Sequence, residues 1–364
     1  MIATPQPERF VLLDGIRGVA AVAIVHRHAE FFFGRPEASS YLAVDLFFAL
    51  SGFVLAHAYG ERLRTGKIST FTFLKARLYR LYPLYIIALT IMAAFFVCLY
   101  TLDLPTPIDD LHRKISLSEL AFALLTSILF LPAPFTLTLN GALFLVSPAW
   151  SLFNELVANV VYARWGVRWK SGKIAIVIAV AAAGLVVAAI EFGKLHAGFR
   201  WHEMYAGMAR VFFSFFVGVL IYRYNSGAQV RRQYLALSCL ALVCLVLFLP
   251  ITNDIRPIFD LFVVFLVWPA LLAVASRVAP EGWLAAISSF LGTASYGLYV
   301  LHIPLLAWAA FLMPWSGTGW IAYPSGLLFT AFATIFAWAL TRYVDQPMQR
   351  RLRRRVKLVN ATPF

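Results

Sequence analysis

Long apolar runs follow one another along almost the whole chain, with short polar stretches between them. A helix needs about 20 mostly apolar residues to cross a bilayer. Runs near that length are 10–33, 41–59, 82–101, 150–165, 174–192, 207–224, 235–252, 257–276, 288–313 and 322–342. One further apolar run, 118–146, is interrupted by Pro132, Pro134, Asn140 and Gly141. The pattern predicts an all-α polytopic membrane protein with about ten transmembrane helices.

The basic loops give the predicted orientation of these helices. Loop 60–80 carries six basic residues and one acid, and loop 164–173 carries four basic residues and no acid. Loops rich in Lys and Arg are typical of the cytoplasmic side, so the chain from 118 to 165 must cross only once in net. We therefore expect the interrupted run to be a re-entrant element, because irregular backbone at membrane depth needs protein or water around it. Both termini are then cytoplasmic, with a transmembrane domain over 1–350 and a basic tail over 351–364.

Composition excludes the other broad classes. The chain is 61% hydrophobic and 13% charged, whereas soluble domains are about half apolar and a quarter charged. The net charge of +14 comes from short loops and the C-terminus, so we expect no nucleic-acid partner. The three cysteines lie inside apolar runs, which indicates small buried side chains and no metal site. The charged N-terminal run is not typical of a cleavable signal peptide.

Ionisable residues inside the apolar runs are the candidate functional groups, because a charge at membrane depth is costly unless it is paired or hydrated. The first run contains Asp14, Arg17, His26, Arg27 and His28. Arg17 and His28 are eleven residues apart, so they share a helix face at a separation of roughly 16 Å along the axis. Asp14 and Arg17 are i,i+3 neighbours and can pair. His26 points to a different face.

Further ionisable groups mark other helices. Asp45 lies in the second run, Glu155 follows Trp150 at the start of the fourth crossing, and His302 lies in the outer part of a later run. The structural alternatives are a polar entry residue for Asp45 and a hydrogen bond to a neighbouring helix for His302. We expect Asp45, Glu155 and His302 in the outer half of the membrane, near His28.

Arg77 and Arg80 are i,i+3 neighbours just before the third run, at the predicted cytoplasmic surface. They are either topology anchors or a phosphate clamp, for which the forked guanidinium group is well suited. Ser51 and Gly52 indicate close helix packing, as small residues do in membranes. Taken without any resemblance, these features fit an enzyme and a transporter or flippase about equally well, and a purely structural scaffold would not need so many charges at depth.

The motifs together make the chain similar to the membrane acyltransferase-3 family. LDGIRG and, after nine further residues, a histidine reproduce the family's Arg-x10-His pattern as Arg17 and His28. The remaining matches, in chain order, are VDLFFALSGFVL, the R-x-x-R pair, WSLFNE with Glu155, SYGLYVLHIPL and YVDQPMQR. Two positions depart from the family pattern: Leu156 stands where a second carboxylate is common, and Asp345 where glutamate is frequent.

The resemblance implies a multi-pass enzyme of the bacterial inner membrane that O-acetylates sugars of lipopolysaccharide O-antigen, peptidoglycan, exopolysaccharide or Nod factors. The implied donor is acetyl-CoA, and the implied acceptor is a glycan or a lipid-linked sugar. Some members carry an extracytoplasmic SGNH hydrolase-like domain. This sequence contains no such segment, so we expect that role to fall to a separate extracytoplasmic partner.

Site roles follow from the resemblance and from residue chemistry. His28 is expected to be the general base or an acyl carrier, oriented or charged by Glu155 or Asp45. Arg17 is expected to stabilise the thioester oxyanion or to bind a CoA phosphate.

Arg77 and Arg80 are expected to bind the nucleotide phosphates of the donor. Supporting roles are expected for Asp14, Asp45, His302 and Trp150, and no metal is expected.

Overall fold

The computed structural model describes residues 10–34, 38–102, 116–133, 143–225 and 228–355, and most of these residues are helical. Its α-helices are α1 (Val11–His28), α2 (Glu30–Phe33), α3 (Ala43–Arg64), α4 (Thr70–Leu102), α5 (Leu117–Ile128), α6 (Ala149–Arg164), α7 (Ser171–Phe192), α8 (Met204–Tyr224), α9 (Gln233–Phe248), α10 (Arg256–Phe262), α11 (Trp268–Ala275), α12 (Gly282–Leu312), α13 (Ala322–Leu340) and α14 (Gln346–Arg355). Single π-helical turns join α10 to α11 and α13 to α14. The sheet content of the described residues is one short parallel pair, Val230–Arg231 with Val278–Ala279.

Seven helical segments among the described residues are long and apolar enough to cross a membrane: Ser40–Arg64, Thr70–Leu102, Ser171–Phe192, Trp201–Tyr224, Arg256–Ala275, Gly282–Leu312 and Gly319–Leu352. This confirms the predicted helical, multi-pass architecture. The count of ten crossings and the cytoplasmic placement of both termini remain predictions.

Helix α1 lies at the centre of the bundle and packs along α12 over its length. Glycines make this approach possible. A Cβ at Gly18 would overlap Leu291 of α12, and a Cβ at Gly292 would overlap Asp14 of α1. Because the two backbones are so close, polar side chains of α12 reach both Arg17 and His28.

Helices α3 and α8 form a second close pair. A Cβ at Gly52 would overlap the carbonyl oxygen of Phe215, and a Cβ at Gly218 would overlap that of Ala49. The predicted packing role of Gly52 is therefore confirmed. The same approach brings the buried guanidinium of Arg210, on α8, next to α3.

Helix α4 begins at Thr70, about three turns before the start that hydropathy predicts at residue 82. Arg77 and Arg80 consequently lie within the helix rather than in a loop before it, and Arg77 is only 7% exposed. The expectation that Arg77 lies before the helix is wrong, because the first turns of α4 are basic and aromatic and a hydropathy window excludes them although they are helical. The cytoplasmic placement of Arg77 remains a prediction.

The interrupted run contains α5, which at 12 residues is too short to span a bilayer alone. Tyr85 on α4 donates to the carbonyl of Ser127 at the end of α5. Six residues after Ser127 the chain is hydrogen-bonded to a later part of itself, since the Ala133 amide donates to the Leu143 carbonyl at 2.8 Å. Pro132 lies at this reversal, whereas Pro134, Asn140 and Gly141 fall outside the described residues. The re-entrant character of this run remains a prediction.

Candidate active site

Two neighbouring cavities contain nearly all the predicted site residues. We call the first the arginine cavity, because Arg17, Arg77 and Arg80 line it together with Glu155. The second is the histidine cavity, lined among others by His28, His302, His196, Arg27 and Arg210. Val44 and Tyr299 line both.

Arg17 is fixed in the arginine cavity by contacts from two helices. Its Nη2 donates to Asp14 Oδ1 at 3.0 Å and to the Gly292 carbonyl at 3.1 Å, and its Nε donates to Ser295 Oγ at 2.8 Å. The predicted pairing of Asp14 with Arg17 is therefore confirmed. Because these bonds use one edge of the guanidinium, the group has a single orientation and keeps part of its surface (27% of the side chain) accessible.

Glu155 lies in the arginine cavity, not beside His28. Its Oε1 accepts from Arg77 Nη2 at 2.6 Å and from Ser51 Oγ at 2.5 Å, and both charged side chains are about nine-tenths buried. The expected link between Glu155 and His28 is thus wrong. The cause is the early start of α4, which carries Arg77 into the bundle at the depth of Glu155. Arg77 is held by this ion pair and also lines the cavity, and its predicted role in the phosphate clamp remains a prediction.

Arg80 lines the same cavity one helical turn further along α4. The lining of the cavity then holds three guanidinium groups and one carboxylate, with apolar side chains such as Phe47 and Leu81 between them. Arg17 and Arg77 each have a carboxylate partner, Asp14 and Glu155. The guanidinium donors and the apolar walls together suit a ligand that has an anionic part and an apolar part.

His28 and His302 face each other in the histidine cavity, where His302 Nε2 lies 3.3 Å from His28 Nδ1. His302 Nδ1 is 2.8 Å from the Tyr299 carbonyl, and His28 Nδ1 is 3.0 Å from the Ile24 carbonyl. A carbonyl only accepts hydrogen bonds, so both Nδ1 atoms carry the proton in the neutral rings. His302 Nε2 is then the acceptor for His28 Nδ1–H, and His28 Nε2 keeps an unprotonated lone pair.

The accessibility of the two rings divides their roles. His302 is completely buried, whereas His28 is exposed within the cavity that it lines. His26 lies elsewhere, stacked on Phe33 with 4.4 Å between ring centroids, as the helical phase predicts. His28 is therefore the histidine of this pair that a ligand can reach, and His302 is placed to orient it.

Asp45 does not contact His28 either, which corrects the second expected partner. Its carboxylate accepts two hydrogen bonds from Arg210, at 3.0 and 2.7 Å, and both side chains are buried. Arg210 also donates to the carbonyls of Tyr41 and Ala197, and its guanidinium lies 5.5 Å from the ring of Trp150. Sequence reasoning missed Arg210, although an arginine inside the apolar run 207–224 was the available signal.

Tyr299 and Val44 lie between the two cavities, because they line both, and we call Tyr299 the partition. Its hydroxyl is 2.6 Å from Ser151 Oγ, which itself donates to the Pro148 carbonyl, so Tyr299 is the donor of this bond. One face of α12 carries Ser295, Tyr299 and His302 in succession. They contact Arg17, Ser151 and His28, respectively. The sequence signal was the SYGLYVLHIPL segment, of which only the histidine was singled out.

Within the described part of the chain, no group of three or more His, Cys, Asp or Glu side chains is placed to hold a metal ion. The expectation of a metal-free site remains a prediction.

Comparison of the sequence with known proteins identifies the family of the chain. The model of the acyltransferase domain of the acyltransferase-3 family matches residues 10–342. A Rhizobium radiobacter protein described as "Protein 2 in picA locus" is 74% identical over 186 residues, which are 51% of this chain and 97% of that protein. No solved structure matches the chain. Since the family model spans nearly the whole sequence, the chain belongs to the membrane acyltransferase-3 family.

Proposed function

We propose that this protein is an O-acyltransferase that moves a small acyl group, acetyl from cytoplasmic acetyl-CoA, to a hydroxyl of an envelope or exported glycan or of a lipid-linked sugar at the bacterial inner membrane. One observation carries the proposal. His28, whose Nδ1 is bonded to the Ile24 carbonyl, lines a cavity that shares Val44 and Tyr299 with a neighbouring cavity lined by three arginines.

The arginine cavity is proposed to hold the acyl donor. Its guanidinium donors suit the phosphates of CoA, and its apolar walls suit the arm that carries the thioester. Arg17 lies eleven residues from His28 on α1, or roughly 16 Å along the axis. That separation favours a role for Arg17 in binding the donor over a role at the oxyanion, and Arg80 is the second candidate for donor binding.

The histidine cavity is proposed to be where the acceptor hydroxyl reacts. His28 Nε2 takes the hydroxyl proton while the oxygen attacks the thioester carbonyl, the carbon–sulfur bond breaks, and the proton passes to the departing thiolate. The charged imidazolium is stabilised because its Nδ1–H donates to the Ile24 carbonyl and to His302 Nε2. Direct transfer and an acyl-histidine intermediate on Nε2 both use this lone pair.

Thioester cleavage by purified protein tests the proposal against the alternative of a transporter or flippase. Protein in nanodiscs is mixed with acetyl-CoA and a glycan extract, and free CoA thiol is measured together with the mass of the glycan. We expect CoA release with a glycan heavier by one acetyl group. A protein that binds or moves the glycan without releasing CoA would be a transporter.

Matched histidine variants locate the reaction. His28→Ala should abolish transfer without loss of folded protein, because it removes the only proposed base. His26→Ala is the control, since His26 stacks on Phe33, contacts Phe248 edge-on and does not line the histidine cavity. Full activity in His28→Ala, or equal loss in both variants, would contradict the assignment.

A further inference from the structure

We infer that the acceptor carries an anionic group, a carboxylate or a phosphate, which Arg27 binds beside the reacting hydroxyl. The inference rests on the proposed function and adds the chemical class of the acceptor. Its basis is the charge balance of the histidine cavity.

The lining of the histidine cavity is cationic. Among the described residues it includes two arginines and three histidines, and no aspartate or glutamate. Arg210 is neutralised, because Asp45 lies against it in a buried, doubly hydrogen-bonded pair. Asp260, an acid near the cavity wall, accepts from the Tyr41 hydroxyl and the Leu195 amide. Glu30 and Asp260 attract Arg27 electrostatically without forming an ion pair with it, and Asp260 is also attracted by Arg256. Arg27 is therefore the arginine of the cavity lining that has no carboxylate bonded to it among the described residues.

Arg27 makes few bonds for a guanidinium group. Its Nη1 donates to the Ala38 carbonyl at 3.1 Å, its Nη2 lies 3.4 Å from His196 Nδ1, and its charge lies 4.9 Å from the centroid of the Tyr41 ring. No carboxylate of the described residues lies within ion-pair distance of it. A guanidinium has five N–H donors, so most of its donor capacity is available to a ligand.

His196 does not add a second charge. It lies in the loop between α7 and α8, where burial lowers its pKa well below the ordinary value and the guanidinium of Arg27 lowers it further. His196 is therefore neutral at pH 7 and can accept from Arg27. The contacts of Arg27 with the Ala38 carbonyl and with His196 hold its guanidinium at the cavity wall, and neither contact neutralises its positive charge.

The position of Arg27 relates the anion to the reaction. Arg27 and His28 are consecutive residues in the last turn of α1, and both line the same cavity. A guanidinium binds carboxylate or phosphate through two parallel hydrogen bonds, which fix the orientation of the bound group. An anion held by Arg27 would thus position a hydroxyl of the same or a neighbouring sugar at His28 Nε2.

The test compares acceptors that differ in one group. Methyl β-glucuronide, methyl β-glucoside and glucose 1-phosphate are supplied with acetyl-CoA to the full-length protein in nanodiscs, and acetylated sugar and free CoA are measured. The variants are Arg27→Gln, Arg27→Lys, and Arg200→Gln as control. Arg200 lies in the same segment between α7 and α8 as His196. It does not line the cavity, and its side chain is 41% exposed.

We expect the wild type to prefer an anionic acceptor over the glucoside by at least about tenfold in kcat/KM, since a hydrogen bond to a charged group contributes roughly 1.5–3 kcal/mol. Arg27→Gln should bring this ratio close to one, mainly through KM, and Arg27→Lys should retain part of it. Arg200→Gln should leave it unchanged. A preference for the glucuronide identifies a carboxylate acceptor, and one for glucose 1-phosphate identifies a phosphate.

Two outcomes overturn the inference: equal use of neutral and anionic acceptors by the wild type, or an unchanged preference in Arg27→Gln. A folded Arg27→Gln protein with unchanged ratios would mean that Arg27 only tethers Ala38. If no acceptor gives CoA release, the proposed function fails instead, and calorimetric titration of the three sugars still decides the inference. Binding of an anionic sugar that Arg27→Gln weakens about tenfold supports it, and equal binding rejects it.

Discussion

Replacing His302 measures how much catalysis depends on the ring that orients His28. His302 is buried, and its Nε2 is the second acceptor for His28 Nδ1–H. In His302→Met an apolar side chain of similar size fills the space without that acceptor. In His302→Gln the side-chain oxygen lies near the former position of Nε2 and can accept the same proton.

The expected loss in His302→Met follows from what remains around His28. The Ile24 carbonyl still accepts from Nδ1 at 3.0 Å, so His28 keeps the tautomer that leaves Nε2 unprotonated. What disappears is one hydrogen bond to a ring that becomes charged in the transition state, roughly 1.5–3 kcal/mol. At about 1.4 kcal/mol for each tenfold in rate, kcat should fall about 10- to 150-fold.

The assay separates this orienting role from a structural one. Initial rates of CoA release at varied acetyl-CoA should give a lower kcat with an unchanged KM, because the proposed donor cavity ends at Tyr299 and does not include His302. His302→Gln should recover most of kcat, with both variants melting near the wild-type temperature. A loss in His302→Met as large as in His28→Ala, or no recovery in His302→Gln, would refute this division of roles.

Four further substitutions test other parts of the site. Arg80→Ala should raise the KM for acetyl-CoA with little change in kcat, which initial rates measure. Arg77→Ala should reduce the yield of folded protein in gel filtration, because Glu155 is left buried without its partner. A normal yield of Arg77→Ala would contradict the buried pair. Tyr299→Ala should open the partition, so the use of butyryl-CoA relative to acetyl-CoA and the release of CoA without acceptor should both rise. An unchanged ratio of the two donors would show that Tyr299 is no barrier. Asp45→Ala should lower the free energy of unfolding by about 3–5 kcal/mol, because it leaves a buried guanidinium uncompensated; thermal melting in detergent measures this, and a small shift at unchanged activity would contradict it.

Features that depend on one helix could be predicted from the sequence. Arg17 and His28 share the face of α1 that meets α12, Asp14 pairs with Arg17, and His26 points away. All three results follow from 3.6 residues per turn. The helical class and multi-pass character followed from the length of the apolar runs in the same way.

Pairings between helices could not be predicted. Glu155 and Asp45 both needed cationic partners, and nothing in the sequence says that these are Arg77 and Arg210 rather than His28. Positive-inside counting also cannot distinguish a loop from the first turns of a helix. Arg77 was therefore placed in a loop, although it lies within α4.

The partition between the two cavities has a consequence for the membrane itself. In the proposed orientation, one reactant arrives from the cytoplasm and the other from the opposite side, so two openings on opposite sides approach each other within the bundle. A continuous aqueous path between them would conduct protons and dissipate the membrane potential. Tyr299, which is bonded to Ser151, and Val44 line both cavities, and these two side chains would close that path. The same contact that limits passage of an acyl group would thus keep the enzyme electrically tight between turnovers.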